Sequence, residues 1–198
     1  MKQFKITFIA LTVFSSLSFI YMNQDNPSGL KKGEKAPAFI AKDHAGNSID
    51  LYSILQKGPV VLMFYRGEWC GYCTREMSEF QDSLHYITEK GAYVIAITPE
   101  TNNNISKTIE KTKASFSIIH DEESKIMTSY KTSFVVDSAT VEKYKKWNVD
   151  LEEANGNKDH ILPVPATYVI GKDGIIKYVF FDKDYSKRAT VKDIINAL

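Results

Sequence analysis

Seven apolar or aromatic residues, Pro59 to Tyr65, run without a charge into Arg66-Gly67-Glu68-Trp69-Cys70-Gly71-Tyr72-Cys73, and a helical pattern follows directly. A short continuous apolar run of this kind reads as a strand buried on both faces, as in a parallel sheet. Beyond it Met77, Phe80, Leu84 and Ile87 recur at three- and four-residue steps, with Glu76, Glu79, Asp82 and Glu89 between them. That spacing predicts one amphipathic helix of about 15 to 18 residues, closed by Gly91 after Lys90. A buried strand feeding straight into a helix confines the chain to a layered α/β architecture.

Cys70 and Cys73 are the whole cysteine content, and both fall at the strand-to-helix turn. Unpaired backbone N–H groups and the helix dipole favour a thiolate there. A thiolate is the nucleophile of disulfide exchange and of peroxide reduction, so the pair points to redox catalysis. Both sulfurs share one helical turn, and a reversible intramolecular disulfide is expected. A purely structural bridge across two residues would remove little unfolded-state entropy. A zinc site would need two further ligands, and His44, His85, His120 and His160 lack the required spacing. No metal or other cofactor is expected.

The chain has 198 residues, 43% of them hydrophobic, which is enough for one well-buried domain. Its net charge of +1 comes without a basic stripe interleaved with aromatics, so nucleic acid is not an expected partner. Lys2 and Lys5 precede an apolar stretch, Ile6 to Met22, and the first acidic residue is Asp25. Residues 1–24 therefore read as an export signal or a membrane anchor, 25–33 as a linker and 34–198 as the domain. The two lysines would stay inside, leaving the domain outside the cytoplasm, on the periplasmic side if the source is bacterial. In such an oxidising compartment a dithiol stays reduced only through a donor.

Strands and helices alternate along the rest of the chain. Residues 38–41 and 48–51 bracket Asp43-His44-Ala45-Gly46-Asn47 as a hairpin. Strands are expected at 92–98, stopped by Pro99, at 117–119, and at 166–170 and 175–181 around Gly171-Lys172-Asp173-Gly174. Helices are expected at 101–113, 122–130 and 187–198, which together with the strands make a mixed sheet covered on both faces. An insert over residues 132–159 carries the stripe Val141, Tyr144, Trp147 and Leu151.

From about Gly33 to Leu198 the chain resembles the thioredoxin superfamily in its peroxiredoxin-like (alkyl hydroperoxide reductase and thiol-specific antioxidant) branch. The residues that carry this are Phe64-Tyr65-Arg66-Gly67-x-Trp69-Cys70-x-Tyr72-Cys73, Val94 to Pro99, Asn155-Gly156, Leu162 to Ile170, Asp173 to Ile176 and Asp182-x-Asp184-Tyr185. The resemblance implies a thioredoxin-like α/β fold: a central mixed sheet with helices on both faces, an N-terminal hairpin, and the insert ahead of a cis-proline strand. It implies reduction of hydroperoxides by a dithiol/disulfide cycle on Cys70 and Cys73, with Trp69, Tyr72, Arg66 and Pro165 lining the site. A thioredoxin-like or membrane-bound electron donor goes with it.

The departures from the family pattern leave alternatives open. Peroxiredoxins carry Pro-x-x-x-Thr-x-x-Cys; laid on this chain, Arg66 replaces the proline, Cys70 the threonine, and Cys73 takes the place of the attacking cysteine. Val164-Pro165 instead matches the cis-proline of thioredoxins, while Phe64 stands where thioredoxins keep a buried acid. As a peroxidase, Cys73 would attack and Cys70 resolve, with Arg66 or Arg75 stabilising the charge. As a protein disulfide reductase, Cys70 would attack first. A third possibility is a tethered binding module built on the insert, with an incidental dithiol. Glu68 is the one candidate base, against its plainer role as a loop carboxylate.

Overall fold

The computed structural model describes residues 26–198, so the expected export or anchor segment lies outside the described residues. Among the described residues no helix is long and apolar enough to cross a membrane. The first elements are the hairpin strands β1 (Ile40–Lys42) and β2 (Ser48–Asp50), paired antiparallel. The Asp43 carboxylate shapes their turn by accepting the N–H groups of Ala45 and Asn47, at 3.0 and 2.9 Å. Then come α1 (Leu51–Leu55), β3 (Val60–Phe64), α2 (Gly71–Asp82), α3 (Leu84–Glu89), β4 (Tyr93–Thr98) and α4 (Asn102–Thr112). The second half holds β5 (Ser117–His120), α5 (Lys125–Ser129), β6 (Ser133–Val135), α6 (Ser138–Lys146), α7 (Leu151–Asn155), β7 (Ile161–Pro163), β8 (Ala166–Ile170), β9 (Ile176–Phe181) and α8 (Val191–Ala197).

The main sheet has the order β5-β4-β3-β8-β9. Strand β3 lies at its centre, parallel to β4 and antiparallel to β8. All five of its residues are fully buried, each such side chain contributing about 1.5–3 kcal/mol by leaving water. Because side chains alternate across a sheet, Val60, Leu62 and Phe64 pack on one face with α1 and α5. Val61, Met63 and Tyr65 pack on the other with α2, α4, α8 and both cysteines. The sheet is mixed and has helices on both faces.

Several expectations are corrected. The single helix after the cysteines is two, interrupted at Ser83 (φ −102°, ψ 4°). Asp82 and Ser83 both favour local side-chain bonding over helix interior. The helix expected from residue 122 starts at Lys125, because Ser124 is left-handed and Asp121 accepts the Ile126 and Met127 N–H groups. The last helix starts at Val191, capped by Thr190, which accepts the Asp193 N–H at 3.1 Å. The insert is not one amphipathic element but β6, α6 and α7, and its β6 pairs with the unforeseen β7. Val141 and Leu151 are buried while Trp147 is 59% exposed. No cis peptide bond occurs among the described residues, so the expected cis Val164–Pro165 is trans. Trans is the lower-energy form of X-Pro, and only two residues separate β7 from β8, with Val164 N–H anchored on Thr132 O at 2.8 Å.

Candidate active site

The carboxyl ends of parallel strands β3 and β4 lie side by side, and the loops leaving them build the site. Tyr65 N–H donates to Ile97 O at 3.0 Å, holding the exit of β3 against β4. The chain then turns so that Cys70 N–H donates to Gly67 O at 3.1 Å, and Cys70 becomes the N-cap of α2. Its side chain makes no capping bond, which leaves the sulfur free for chemistry. Gly67 is required here: a Cβ would lie 2.6 Å from Glu100 Oε1 and clash with the Trp69 indole nitrogen.

Both cysteines are free thiols, and each sulfur has its own arginine. Arg66 Nη2 donates to Cys70 Sγ at 3.2 Å, and its Nη1 to Tyr144 Oη at 3.1 Å. Arg188 Nη2 donates to Cys73 Sγ at 3.4 Å. Arg188 Nε lies 2.6 Å from Glu76 Oε2 as an ion pair, with its N–H pointing off the line of contact rather than hydrogen-bonding. The hydrogen bond from the Cys73 thiol holds Cys70 down to about 5; burial opposes this, and the Arg66 charge and hydrogen bond add to it. Burial pushes Cys73 well up, and the charge on Cys70 pushes it further, against the pull of Arg188. These shifts favour the negative charge on Cys70 and the proton on Cys73.

Cys70 is only 3% exposed and Cys73 not at all. A cavity of about 270 Å3 reaches Cys70, with Arg66, Trp69, Tyr72, Tyr144 and Tyr185 among its walls. The Arg66 guanidinium stacks 4.0 Å above the Tyr185 ring and 5.1 Å from the Trp69 ring, which fixes it over the sulfur. Four of the expected lining residues are thus distributed unequally. Arg66, Trp69 and Tyr72 share the cavity with Cys70, whereas Pro165 lines a larger neighbouring cavity of about 560 Å3 that meets the first at Arg66, Tyr144 and Tyr185. Arg75 lies over the Tyr72 ring at 5.8 Å and touches neither sulfur in any hydrogen bond of the site. Glu68 is ion-paired with Lys111.

Sequence reasoning missed Arg188, Glu76, Glu100, Tyr144 and Tyr185 as site residues. Arg188 falls within the helix expected at 187–198, but the later start of α8 leaves it in a loop that reaches back to Cys73. Burial pushes the Glu76 carboxyl up to about 7 even with Arg188 beside it, and pushes Glu100 up to about 8. A signal for Glu100 was present: it follows an apolar strand and Pro99, at the sheet end where the dithiol loop also emerges.

With this geometry in place, residues 32–179 match the family model described as AhpC/TSA family. The chain belongs to the AhpC/TSA family. Among curated relatives of this AhpC/TSA protein, the chloroplastic peroxiredoxin Q of Oryza sativa subsp. japonica is 27% identical over 151 residues. The match covers 76% of this chain and 59% of the rice protein, so the chain spans about three-fifths of that relative's length. Two solved structures show the same fold. The peroxidoxin BcpB of Mycobacterium tuberculosis superposes with a TM-score of 0.65 at 18% identity, covering 85% of this chain and 96% of its own. The thioredoxin domain of a thiol-disulfide oxidoreductase from Bacteroides vulgatus gives 0.55 at 19% identity, covering 84% and 99%. The AhpC/TSA protein is thus thioredoxin-like in fold, as its sequence resemblance implied.

Proposed function

We propose that this protein is a thiol peroxidase that reduces hydroperoxides through a Cys70/Cys73 dithiol–disulfide cycle, with Cys70 as the attacking thiolate. One observation carries this: the Cys70 sulfur accepts a hydrogen bond from Arg66 at the end of a small aromatic-walled cavity, where its thiol is held down to about 5. A hydroperoxide group fits such a space. A folded protein's disulfide would have to reach a sulfur whose residue is 3% exposed.

The cycle balances in two steps. Cys70–S⁻ attacks the distal peroxide oxygen, the O–O bond breaks, and with one proton the products are Cys70–SOH and ROH. Arg66, already donating to the sulfur, is placed to stabilise the charge that passes to the leaving oxygen. Cys73–SH then attacks the sulfenic sulfur, releasing water and forming the disulfide; an external dithiol of thioredoxin type supplies the two electrons that restore the pair. The lysine-flanked apolar segment before Asp25 supports placing this domain outside the cytoplasm.

The test is a side-by-side assay of NADPH-coupled peroxide consumption through thioredoxin and of insulin disulfide reduction. The expected result is turnover of peroxide with little insulin reduction. Insulin reduction without peroxide turnover would move the assignment to a disulfide reductase, and inertness in both to a binding module. The single-turnover rate of peroxide attack should fall on acidification with a midpoint at about 5, because the depressed Cys70 thiol reprotonates there. In Arg66→Met that midpoint should move upward, since a charge that favours the thiolate is gone; an unmoved midpoint would remove Arg66 from the site.

A further inference from the structure

The attack on peroxide draws on Arg66 and leaves the second arginine of the site without a task. Arg188 comes from the loop between β9 and α8, and its guanidinium is fixed by contacts at each nitrogen. Nη1 donates to Tyr185 O at 2.5 Å and to Lys187 O at 2.7 Å. Nε faces Glu76 Oε2 at 2.6 Å as an ion pair, and Glu76 Oε1 in turn accepts the Thr167 hydroxyl at 3.5 Å. Nη2 is left to donate to Cys73 Sγ at 3.4 Å. With its side chain only 13% exposed, the guanidinium is in place before any reaction and water screens its charge little. An ion pair that only held α2 to the loop would not require an N–H aimed at the sulfur.

Once the disulfide has formed, a donor thiolate attacks one of its sulfurs and expels the other. Leaving-group strength favours attack on Cys73, because Cys70 is the more stable thiolate. Access favours the opposite. Cys70 is part of the wall of the 270 Å3 cavity, whereas Cys73 is fully buried and lines neither that cavity nor its larger neighbour. A donor sulfur that enters the cavity therefore meets Cys70, and Cys73 must leave as a thiolate within the apolar packing between α2 and the sheet. An unpaired charge there is strongly disfavoured. Arg188 already stands at hydrogen-bond distance to meet it.

We propose that Arg188 is a catalytic residue of the reductive half of the cycle: the donor thiolate attacks Cys70, and Arg188 stabilises the Cys73 thiolate that this attack expels. The step rests on the Cys70/Cys73 disulfide of the function proposed above. The donor sulfur bonds to Cys70 Sγ, the Cys70–Cys73 bond breaks, and its electron pair stays on Cys73. The donor's second thiol then attacks the donor sulfur of the mixed disulfide. The donor disulfide forms, Cys70–S⁻ leaves towards Arg66, and the proton of that second thiol passes to Cys73. One negative charge and one thiol proton stand on each side, and two electrons move from donor to protein. The two arginines thereby divide the cycle, Arg66 serving the sulfur that meets peroxide and Arg188 the sulfur released on reduction.

The experiment follows reduction of the full-length protein, oxidised with diamide rather than peroxide, by excess dithiothreitol under stopped flow. Arg188→Gln is expected to open its disulfide at least about tenfold more slowly than the wild type, with part of the rate restored in Arg188→Lys. A substitution that merely loosened the packing would expose the disulfide and speed its reduction. An unchanged or raised rate in Arg188→Gln therefore overturns the proposal. Should Arg188→Gln not fold, the wild-type protein decides. Brief reaction of its disulfide with glutathione, acid quenching and peptide mapping locate the mixed disulfide. Glutathione on Cys70 with Cys73 free supports the proposal, and glutathione on Cys73 overturns it. No peroxide enters either measurement, so a protein that gave these results yet failed to turn over peroxide would lose the peroxidase assignment alone.

Discussion

Cys70→Ser is expected to lose peroxide turnover by about a thousandfold or more, because it removes the ionised nucleophile and leaves only a buried thiol. Cys73 has its own arginine, but burial and the lack of a cavity wall at its sulfur keep it protonated and out of reach. Cys73→Ser should behave differently. The first attack survives, the resolving partner is gone, and one equivalent of peroxide is consumed as Cys70 sulfenic acid accumulates. A dimedone-type probe should label Cys70 in that variant, and excess peroxide should carry the same sulfur on to sulfinic acid. Alignment with the family pattern alone would assign the roles the other way round, with Cys73 attacking. Labelling of Cys73 in Cys70→Ser, with none on Cys70 in Cys73→Ser, would restore that order. In the wild-type protein, mild oxidation should remove both thiols within a monomer, as mass spectrometry would show.

The largest effect on stability is expected from Arg188→Met. Arg188 and Glu76 are 13% and 4% exposed in their side chains, and removing one member of a buried pair costs about 3–5 kcal/mol by leaving the other charge unpaired. Here Glu76 can escape by protonating. Its folded pKa, already raised by burial to about 7 with Arg188 present, rises further without it, while the unfolded value stays near that of an ordinary glutamate. A raised carboxyl binds its proton more tightly in the folded state, so its stabilising effect is complete below the unfolded pKa and fades as pH rises through the folded one. Urea denaturation should therefore show a modest cost near pH 5 that grows steadily as pH rises above about 7. A cost independent of pH would mean that Glu76 does not titrate against Arg188. Cys73 should lose its arginine in the same variant, which slows resolution but leaves the first attack on Cys70's side intact.

The apolar run before the dithiol, the hairpin around Asp43 to Asn47 and the alternation of strands with helices were legible in the chain because each rests on local periodicity. Strand β3 needed only the seven-residue apolar run around it to declare itself, and Cys70 and Cys73 stood out through their spacing and the helix that follows. Helix ends were less legible. The break at Ser83 and the late starts of α5 and α8 depend on which polar side chain captures which backbone N–H, and several sequence patterns satisfy that equally well.

The sequence by itself determined the α/β layering, the cysteine pair and the residues immediately beside it, since neighbours along a chain are bound to be neighbours in space. Only the tertiary structure decided how the two sulfurs differ. Arg188, 115 residues from Cys73, comes to that sulfur only once α8 begins where it does. Glu100 reaches the dithiol loop only because β4 lies beside β3 in parallel register. Tyr144 meets Arg66 from an insert 78 residues away. A pKa is set by burial and by charges a few ångströms off, and both are properties of packing between distant segments rather than of any segment's own composition.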